Sequence, residues 1–418
     1  MKALKDLDIE KNIINLIEWI SKYGKTSDDG ITRLLYTDTW KDAQEALKQL
    51  LNEKGFMTYY DEVGNLFGKL EGCKYKDETI LTGSHIDTVV NGGKLDGQFG
   101  IIGGIIAIKY LKEKFGKPLR NIEVVSMAEE EGSRFPFTFW GSKNIVGAVE
   151  RKDMEGIKDV DGIKFTEAIE KSGFKFKEKN SEIRDDLKAF IELHIEQGGV
   201  LEKEKKSIGI VEHIAGQKRF MVEVEGEANH AGTTPMGYRR DAMHGSGKMI
   251  AQIMDLAKDY GDPLVATVGR VEVVPNTTNV IPGKVVFSLD IRHVDSEVVT
   301  NFINEAFLKL KDIAKDMDLK IKVNRYMDGE PVAMDTDLVN IIKRQCQENR
   351  LNYKLMHSGA GHDSQVFAKH IPTSLIFVPS HKGISHHYTE YTEAKDLAEG
   401  VKVLIKILYN LAYMDKQH

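Results

Sequence analysis

The 418-residue chain is predicted to be an α/β protein with a mainly parallel sheet, interrupted by a self-contained α+β insert. Three observations carry this. Up to about residue 213, apolar runs of strand length alternate with helical periodicity, which argues for βαβ units whose sites gather at the carboxyl ends of the strands. Between 214 and 329 the order changes to β-α-β-β-α-β, that of a ferredoxin-like sandwich. From 330 to 418 the first pattern resumes. At roughly 100 to 200 residues per domain the chain has room for two, so the expected division is 1–213 and 330–418 around an inserted 214–329.

Ile9, Ile13, Ile14, Leu16, Ile17 and Ile20 recur at helical spacing, and Thr39 is placed to cap a second helix carrying Ala43, Ala46, Leu47, Leu50 and Leu51. Residues 56–70 read as a hairpin turning at Val63-Gly64-Asn65. A strand at 79–81, a buried helix at 101–115 and strands at 122–128 and 189–194 follow. Residues 208–224 are β-like, and the turn formers of GEANHAGTTP at 226–235 break them with a loop. The insert continues with a helix at 241–260, strands at 264–274 and 284–292 flanking a turn at 275–282, a helix at 296–317 and a strand at 319–325. Beyond it come a helix at 338–349, a loop at 358–363, a strand at 374–378, a loop at 383–390 and a last helix to about Tyr413.

Hydrophobic residues make up 41% and charged residues 29%, the balance of a globular protein, and a net charge of −6 offers no basic face to a polyanion. Nucleic acid is therefore disfavoured as a partner. The purest apolar run, 101–108, is far short of the about 20 residues that span a bilayer, and the opening MKALKDLDIEK is too charged for an export signal. A cytoplasmic protein without membrane contact is expected. Cys73 and Cys346 stand alone, without zinc-ribbon spacing, and read as inert thiols of a reducing compartment.

The chemistry concentrates in TGSHIDTVVNGGKLDGQFG at 82–100, which places His85, Asp87 and Asp96 beside Gly92-Gly93 just after a strand. Imidazole and carboxylate donors suit divalent zinc or manganese, and an aspartate two residues after a histidine can hold its ring in one tautomer. Alone, the pattern fits a helix cap or a buried, satisfied histidine equally well. Glu129-Glu130-Glu131 would ordinarily be a solvated helix face, but here it follows an apolar strand directly. His194 ends another strand, and His386 lies in the loop after the last. These features all fall at strand-to-loop transitions of one α/β scaffold.

GSHIDT, GGKLDG, EEEGSRF, ELHIEQG, NHAGTTPM, NVIPG, SGAGHD and GISH occur in this order. Together they resemble the dinuclear-metal aminoacylase and carboxypeptidase superfamily, in its amidohydrolase and carbamoylase branch, over essentially the whole chain. The resemblance implies that the α/β part is the catalytic domain and the ferredoxin-like insert a dimerisation (lid) domain. It assigns one divalent ion to His85 and His194 and a second to Glu131 and His386, with Asp96 bridging; zinc or manganese is expected, with cobalt usable in vitro. Glu130 matches the general base and Asp87 the residue that orients His85. His230 matches the residue that stabilises the oxyanion from the partner subunit of a homodimer.

Arg292 is the candidate for a substrate carboxylate, while Gln197, Gln217, Asn279 and the backbone of Gly361 match positions that bond the remaining polar atoms. The implied activity is hydrolysis of a ureido C–N bond in a small ureido-carboxylate. The segments at 139–144, 236–241 and 356–363 point to allantoate, with N-carbamoyl-L-amino acids or 3-ureidopropionate as alternatives. A catalytically silent binding protein would be expected to lack a ligand or the base, and none is missing. Bland readings stand beside these: His230 as a cap on the turn at 233–235, Arg292 in a surface ion pair, and Glu129 capping or exposed to solvent. His387 and Tyr388 follow the last ligand histidine where this family commonly has a small polar residue and proline, so His387 is a rival for His386.

Overall fold

The computed structural model describes residues 9–177 and 184–415. The first eight residues of the stretch read as lacking an export signal lie outside the described residues. The chain forms two compact units, one of Met1–Glu212 with Ala333–His418 and one of His213–Val332.

In the first unit, α1 (Ile9–Ile20) buries Ile9, Ile13, Ile17 and Ile20 along one stripe. Helix α2 (Asp38–Glu53) is capped by Thr37, whose hydroxyl accepts from Trp40 N at 3.4 Å. Thr39, the expected cap, lies inside the first turn. A cap needs extended backbone, and Thr37 has it, at φ −85° and ψ 166°. Strands β1 (Met57–Tyr60) and β2 (Leu66–Leu70) form the hairpin; its turn is held by Asp61, which accepts from Val63 N and Asn65 N at 3.1 and 2.9 Å. Next come β3 (Tyr75–His85), α3 (Gln98–Phe115), β4 (Arg120–Met127), α4 (Trp140–Ile145), α5 (Phe165–Ser172), β5 (Leu187–Ile195), α6 (Val200–Lys203) and β6 (Ile208–Ile214). The isoleucines and glycines of α3 are buried almost all round, as a helix without a polar face must be.

The second unit has the order β7 (Gly216–Glu225), β8 (Asn229–His230), α7 (Ala242–Tyr260), β9 (Val265–Thr267), β10 (Val271–Val274), β11 (Val280–Ile281), β12 (Lys284–His293), α8 (Ser296–Asp316) and β13 (Lys320–Gly329). Its main sheet runs β10-β12-β7-β13, antiparallel throughout, with β9 also on β12. Alternate residues of β7 and β12 are buried, so Phe220, Val222, Val224, Phe287, Leu289 and Ile291 meet Ile253, Phe302 and Leu310 of the two helices. The single strand expected at 264–274 is two, because the chain leaves the ladder around Gly269, where a strand glycine gives no side chain to pack. The loop at 226–235 and the turn at 275–282 each contain a short strand, β8 and β11, and these pair with each other.

The chain then returns through β14 (Val332–Ala333), α9 (Thr336–Glu348), β15 (Tyr353–Ser358), α10 (Ser364–Phe367), β16 (Thr373–Val378) and α11 (Ala394–Ala412). The sheet of the first unit has the order β1-β2-β4-β3-β5-β16-β6-β14, with β15 on β6. It is mixed rather than mainly parallel. Strands β4, β3, β5 and β16 form a parallel core, whereas β1 on β2, β2 on β4 and β6 on β16 are antiparallel. The tight turn between β1 and β2 permits only antiparallel pairing. The carboxyl ends of these four adjacent core strands all point in one direction.

Candidate metal centre

Those four carboxyl ends build the site. β3 ends on His85, β4 leads into Glu129-Glu130-Glu131, β5 carries His194 next to its end, and β16 opens into the loop holding His386. The strands are buried because both faces are covered, and the candidate ligand side chains emerge where the ladder stops. Asp96, just before α3, lies among them. Its Oδ1 is 3.5 Å from His85 Nε2 and 3.2 Å from His194 Nε2, while its Oδ2 is 3.2 Å from His386 Nε2. His386 Nε2 is also 3.4 Å from Glu131 Oε1. One carboxylate thus divides its two oxygens between two donor groups.

Among the described residues three sets of donor atoms converge within 4.8 Å: His85, Asp96 and His194; Asp96, Glu131 and His386; His85, Glu130 and Glu131. Ligands about 2.0–2.1 Å from a tetrahedral cation sit about 3.3 Å from one another, close to the separations between these atoms.

Hydrogen bonds fix the ring tautomers. His85 Nδ1 faces the Asp87 carbonyl at 3.0 Å, and His194 Nδ1 faces the Ile195 carbonyl at 2.9 Å. A carbonyl only accepts, so each Nδ1 carries the proton and each Nε2 presents a lone pair. His194 Nε2 accepts from Gly97 N at 3.2 Å, in keeping with this. Gly97, at φ +66°, must be glycine: a Cβ there would stand 2.4 Å from the His85 ring. Asp87, buried, has its Oδ1 3.3 Å from His85 Nδ1 and accepts from Glu130 N and Glu131 N at 2.9 and 3.2 Å. One group therefore orients the first histidine and the backbone that carries both glutamates.

The charges are out of balance without a cation. Burial, together with Asp96, pushes Glu131 up to about 8, and burial holds Glu130 well above the usual carboxylate range. Against its burial, Asp96 is kept well below that range by His194, His386 and His85 in their protonated form, in which Nε2 carries a proton toward Asp96 in place of a lone pair toward an ion. Glu131 Oε1 is buried with no hydrogen-bond donor among the described residues. Imidazole lone pairs and an unpaired carboxylate oxygen converging on shared Asp96 fit two divalent ions with nitrogen and oxygen ligands.

Other expected site residues fall as follows. Gln197, held at φ +56°, donates from Nε2 to Asp96 Oδ2 at 3.0 Å, so it faces the shared carboxylate. Gly361 is exposed in the loop between β15 and α10. His387 turns away, with Nδ1 2.8 Å from Thr389 Oγ1 and its ring 4.2 Å from that of Tyr388, and it belongs to none of the three donor sets. Glu129 is not exposed to solvent as expected; it is buried beneath the segment 137–141, which bonds back through Phe139 N to Glu130 O and Gly141 N to Glu129 O.

In the second unit, the β8–β11 ribbon sets His230 opposite Val280, and Ala231 N donates to Asn279 O at 3.0 Å. His230 does cap its turn: Nδ1 accepts from Gly232 N and Thr233 N at 3.0 and 3.2 Å. That leaves the proton on Nε2 of an exposed ring, a hydrogen-bond donor. Gln217 and Arg292 are register partners across β7 and β12, and both bond Asp290. Arg292 grips it at 2.9 and 3.0 Å, so the ion-pair reading of this residue is realised; Arg219 joins at 2.7 Å.

Sequence reasoning missed Asp290 and two buried struts of the first unit. Glu192, fully buried, accepts from Ser84 Oγ, Ser364 N and Ser364 Oγ at 2.8, 2.9 and 2.7 Å, tying the 358–363 loop to the strands of His85 and His194. Arg33, also buried, donates to the carbonyls of Ile20, Tyr23 and Ile86 and to Gln98 Oε1. An acid inside the apolar run AFIELH was a readable signal for the first; nothing local marked the second.

Residues 81–410 match the sequence model of peptidase family M20/M25/M40. The chain is 50% identical over 397 residues to the allantoate amidohydrolase of Escherichia coli strain K12, covering 95% of this chain and 97% of that one. It is 44% identical over 407 residues to the allantoate amidohydrolase of Bacillus subtilis strain 168, covering 97% and 99%. Among solved structures, an amidase of the hydantoinase/carbamoylase family from Burkholderia multivorans superposes with a TM-score of 0.91 at 32% identity, covering 97% of this chain and 98% of the other.

His386 and His387 can be told apart by metal analysis of protein dialysed after loading with zinc or manganese. His386→Ala is expected to lose one of two bound ions, and His387→Ala to keep both. Retention of both ions by His386→Ala would remove that residue from the centre.

Proposed function

The chain belongs to peptidase family M20/M25/M40, and on that premise we propose that it hydrolyses a ureido C–N bond, converting allantoate and water to ureidoglycine, ammonia and carbon dioxide. The observation that carries the reading is a pair of donor sets sharing Asp96, with Glu130 hung beside them on Asp87. The two allantoate amidohydrolases among its relatives support the choice of substrate.

In this mechanism His85 and His194 would hold one divalent ion and Glu131 and His386 the other, with Asp96 available to both; zinc or manganese would suit these donors, with cobalt a substitute in vitro. When bound, the ions supply Lewis acidity that polarises the ureido carbonyl and acidifies water. Glu130 takes the proton of the attacking water and returns it to the leaving nitrogen. Burial raises its proton affinity, which suits a group that must both accept and release a proton. Asp87 holds Glu130 and His85 in place. His230 donates from Nε2 to the oxygen on which negative charge develops.

Arg292, its guanidinium oriented by Asp290, binds the substrate carboxylate bidentately. Gln197, Gln217, Asn279 and the Gly361 backbone bond the uncharged second ureido group. We place the reaction in the cytoplasm and assign the unit His213–Val332 to dimerisation and to covering the substrate, with His230 acting in the partner's site. Among the described residues no helix is long and apolar enough to cross a membrane.

Glu130→Gln keeps the size of the side chain and removes the base. It is expected to retain both ions while kcat falls by about 10²- to 10⁴-fold; loss of metal instead would shift the base to another glutamate of the run.

Substrate choice is read from ammonia release. An apolar side chain in place of the second ureido leaves at least one buried polar group unpaired, at about 1 to 3 kcal/mol. Allantoate is expected to exceed N-carbamoyl-L-leucine in kcat/KM by at least about tenfold. A reversed preference would make the chain an N-carbamoyl-L-amino acid hydrolase on the same metal centre.

The dimer is tested by complementation. Mixing Glu130→Gln with His230→Ala chains should restore part of the activity, since heterodimers have one site with both residues intact. No recovery, with subunit exchange shown to occur, would return His230 to its own subunit or remove it from catalysis.

A further inference from the structure

Glu390 lies four residues beyond His386, in the loop between β16 and α11, and its side chain is buried. It is in none of the converging donor sets found among the described residues. Its bonds go elsewhere. Oε1 accepts from two consecutive backbone groups, Leu95 N at 2.8 Å and Asp96 N at 3.0 Å, and Oε2 accepts from Ser385 Oγ at 2.7 Å. The loop before Asp96 is shaped to receive it. A Cβ on Gly93 would stand 2.0 Å from Glu390 Oε1 and 2.2 Å from its Cδ, and Gly93 does not have a positive φ, so glycine is required there for space alone.

We propose that Glu390 is a positioning residue for the metal centre, a clamp that fixes the backbone of the shared ligand Asp96 against the backbone that carries His386. This rests on the reading of Asp96 as the carboxylate common to two ions. The physical need is plain at both ends. The aspartate must present each oxygen to a different donor group, and two N–H bonds at Leu95 and Asp96 hold the peptide from which its side chain departs. His386 sits at φ +56°, a left-handed conformation that is strained for a non-glycine residue and persists only where its surroundings hold it. The bond from Ser385, the preceding residue, supplies that hold. Ser385 also lies 3.3 Å from Asp96 Oδ2, so the clamp spans both ligands through one hydroxyl.

The geometry requires reach and an accepting oxygen, and it does not require charge. In Glu390→Gln the amide oxygen still accepts from both N–H groups, and the amide nitrogen donates to Ser385, whose own proton turns to Asp96. Glu390→Asp keeps the charge but is one methylene too short. The experiment measures ions bound per chain against a competing chelator, with kcat and KM for allantoate and the thermal midpoint of the metal-free protein.

Glu390→Asp is expected to bind the ion at Glu131 and His386 about 10- to 100-fold more weakly and to lose kcat more than KM, with Glu390→Gln close to wild type in both. The metal-free midpoints report whether each variant is folded. The proposal is overturned if Glu390→Asp keeps wild-type metal affinity, or if Glu390→Gln loses it as fully. Should Glu390→Asp fail to fold, Gly93→Ala, which leaves the carboxylate but displaces it, is read in the same way. A wild-type chain that binds no pair of ions would instead overturn the shared-carboxylate reading on which this rests.

Discussion

The structure of the first unit depends on making tolerable a cluster of acids at one edge of a sheet. Asp87, Asp96, Glu129, Glu130 and Glu131 are gathered at the carboxyl ends of β3 and β4, most of them buried. Two like charges about 4 Å apart cost about 4 kcal/mol at an effective dielectric constant of about 20, so such a group cannot all be ionised without compensation. Each acid is handled differently. Asp96 is surrounded by three imidazoles and the amide of Gln197. Asp87 is held by two backbone N–H groups and His85. Glu129 and Glu130 are pushed by burial toward keeping a proton. What remains, the unpaired oxygen of Glu131 among imidazole lone pairs, is a demand for cations.

The scaffold meets that demand with rigid elements and few loops. Four of the five expected ligands lie at or just after the ends of strands whose parallel register fixes their relative height: His85 pairs with Met127, and His194 with Phe377. Arg33 ties the end of α1 to the segment that follows His85, and Glu192 ties the 358–363 loop to β3 and β5. Burial lowers Arg33 to about 10, against the pull of Asp87, yet the guanidinium stays charged because each group it faces is an acceptor. These struts spend buried polar groups on geometry, which a purely apolar core does not provide.

The second unit works by other means. Its sheet and two helices form a core of alternating strand residues, and its functional candidates stand at the margins: His230 on a two-residue ribbon with Asn279 just before its second strand, Gln217 and Arg292 around Asp290. Asp290 gathers two guanidinium groups and an amide, which fixes the plane of Arg292 at the expense of part of its hydrogen-bonding capacity.

The sequence by itself determined what local pattern can carry. Periodicity marked the long helices α1, α2, α3, α7, α8, α9 and α11 and most of the longer strands, but not the short helices α4, α5, α6 and α10 or the strands β8, β11, β14 and β15. An apolar run that stops at a histidine or an acid marked His85, the glutamate run 129–131, His194 and the loop of His386, because strand, strand end and candidate ligand lie within a few residues. Tertiary structure alone decided what depends on distant pairing. Strand sense made the sheet mixed, the extended backbone at Thr37 displaced the cap from Thr39, and the fold-back of 137–141 buried Glu129. Asp290 collected partners from a neighbouring strand, and Glu390 met Asp96 across 294 residues. No spacing rule reports such contacts, since a carboxylate's partner is set by which backbone the packed core brings within about 3 Å of it, and not by its neighbours in the chain.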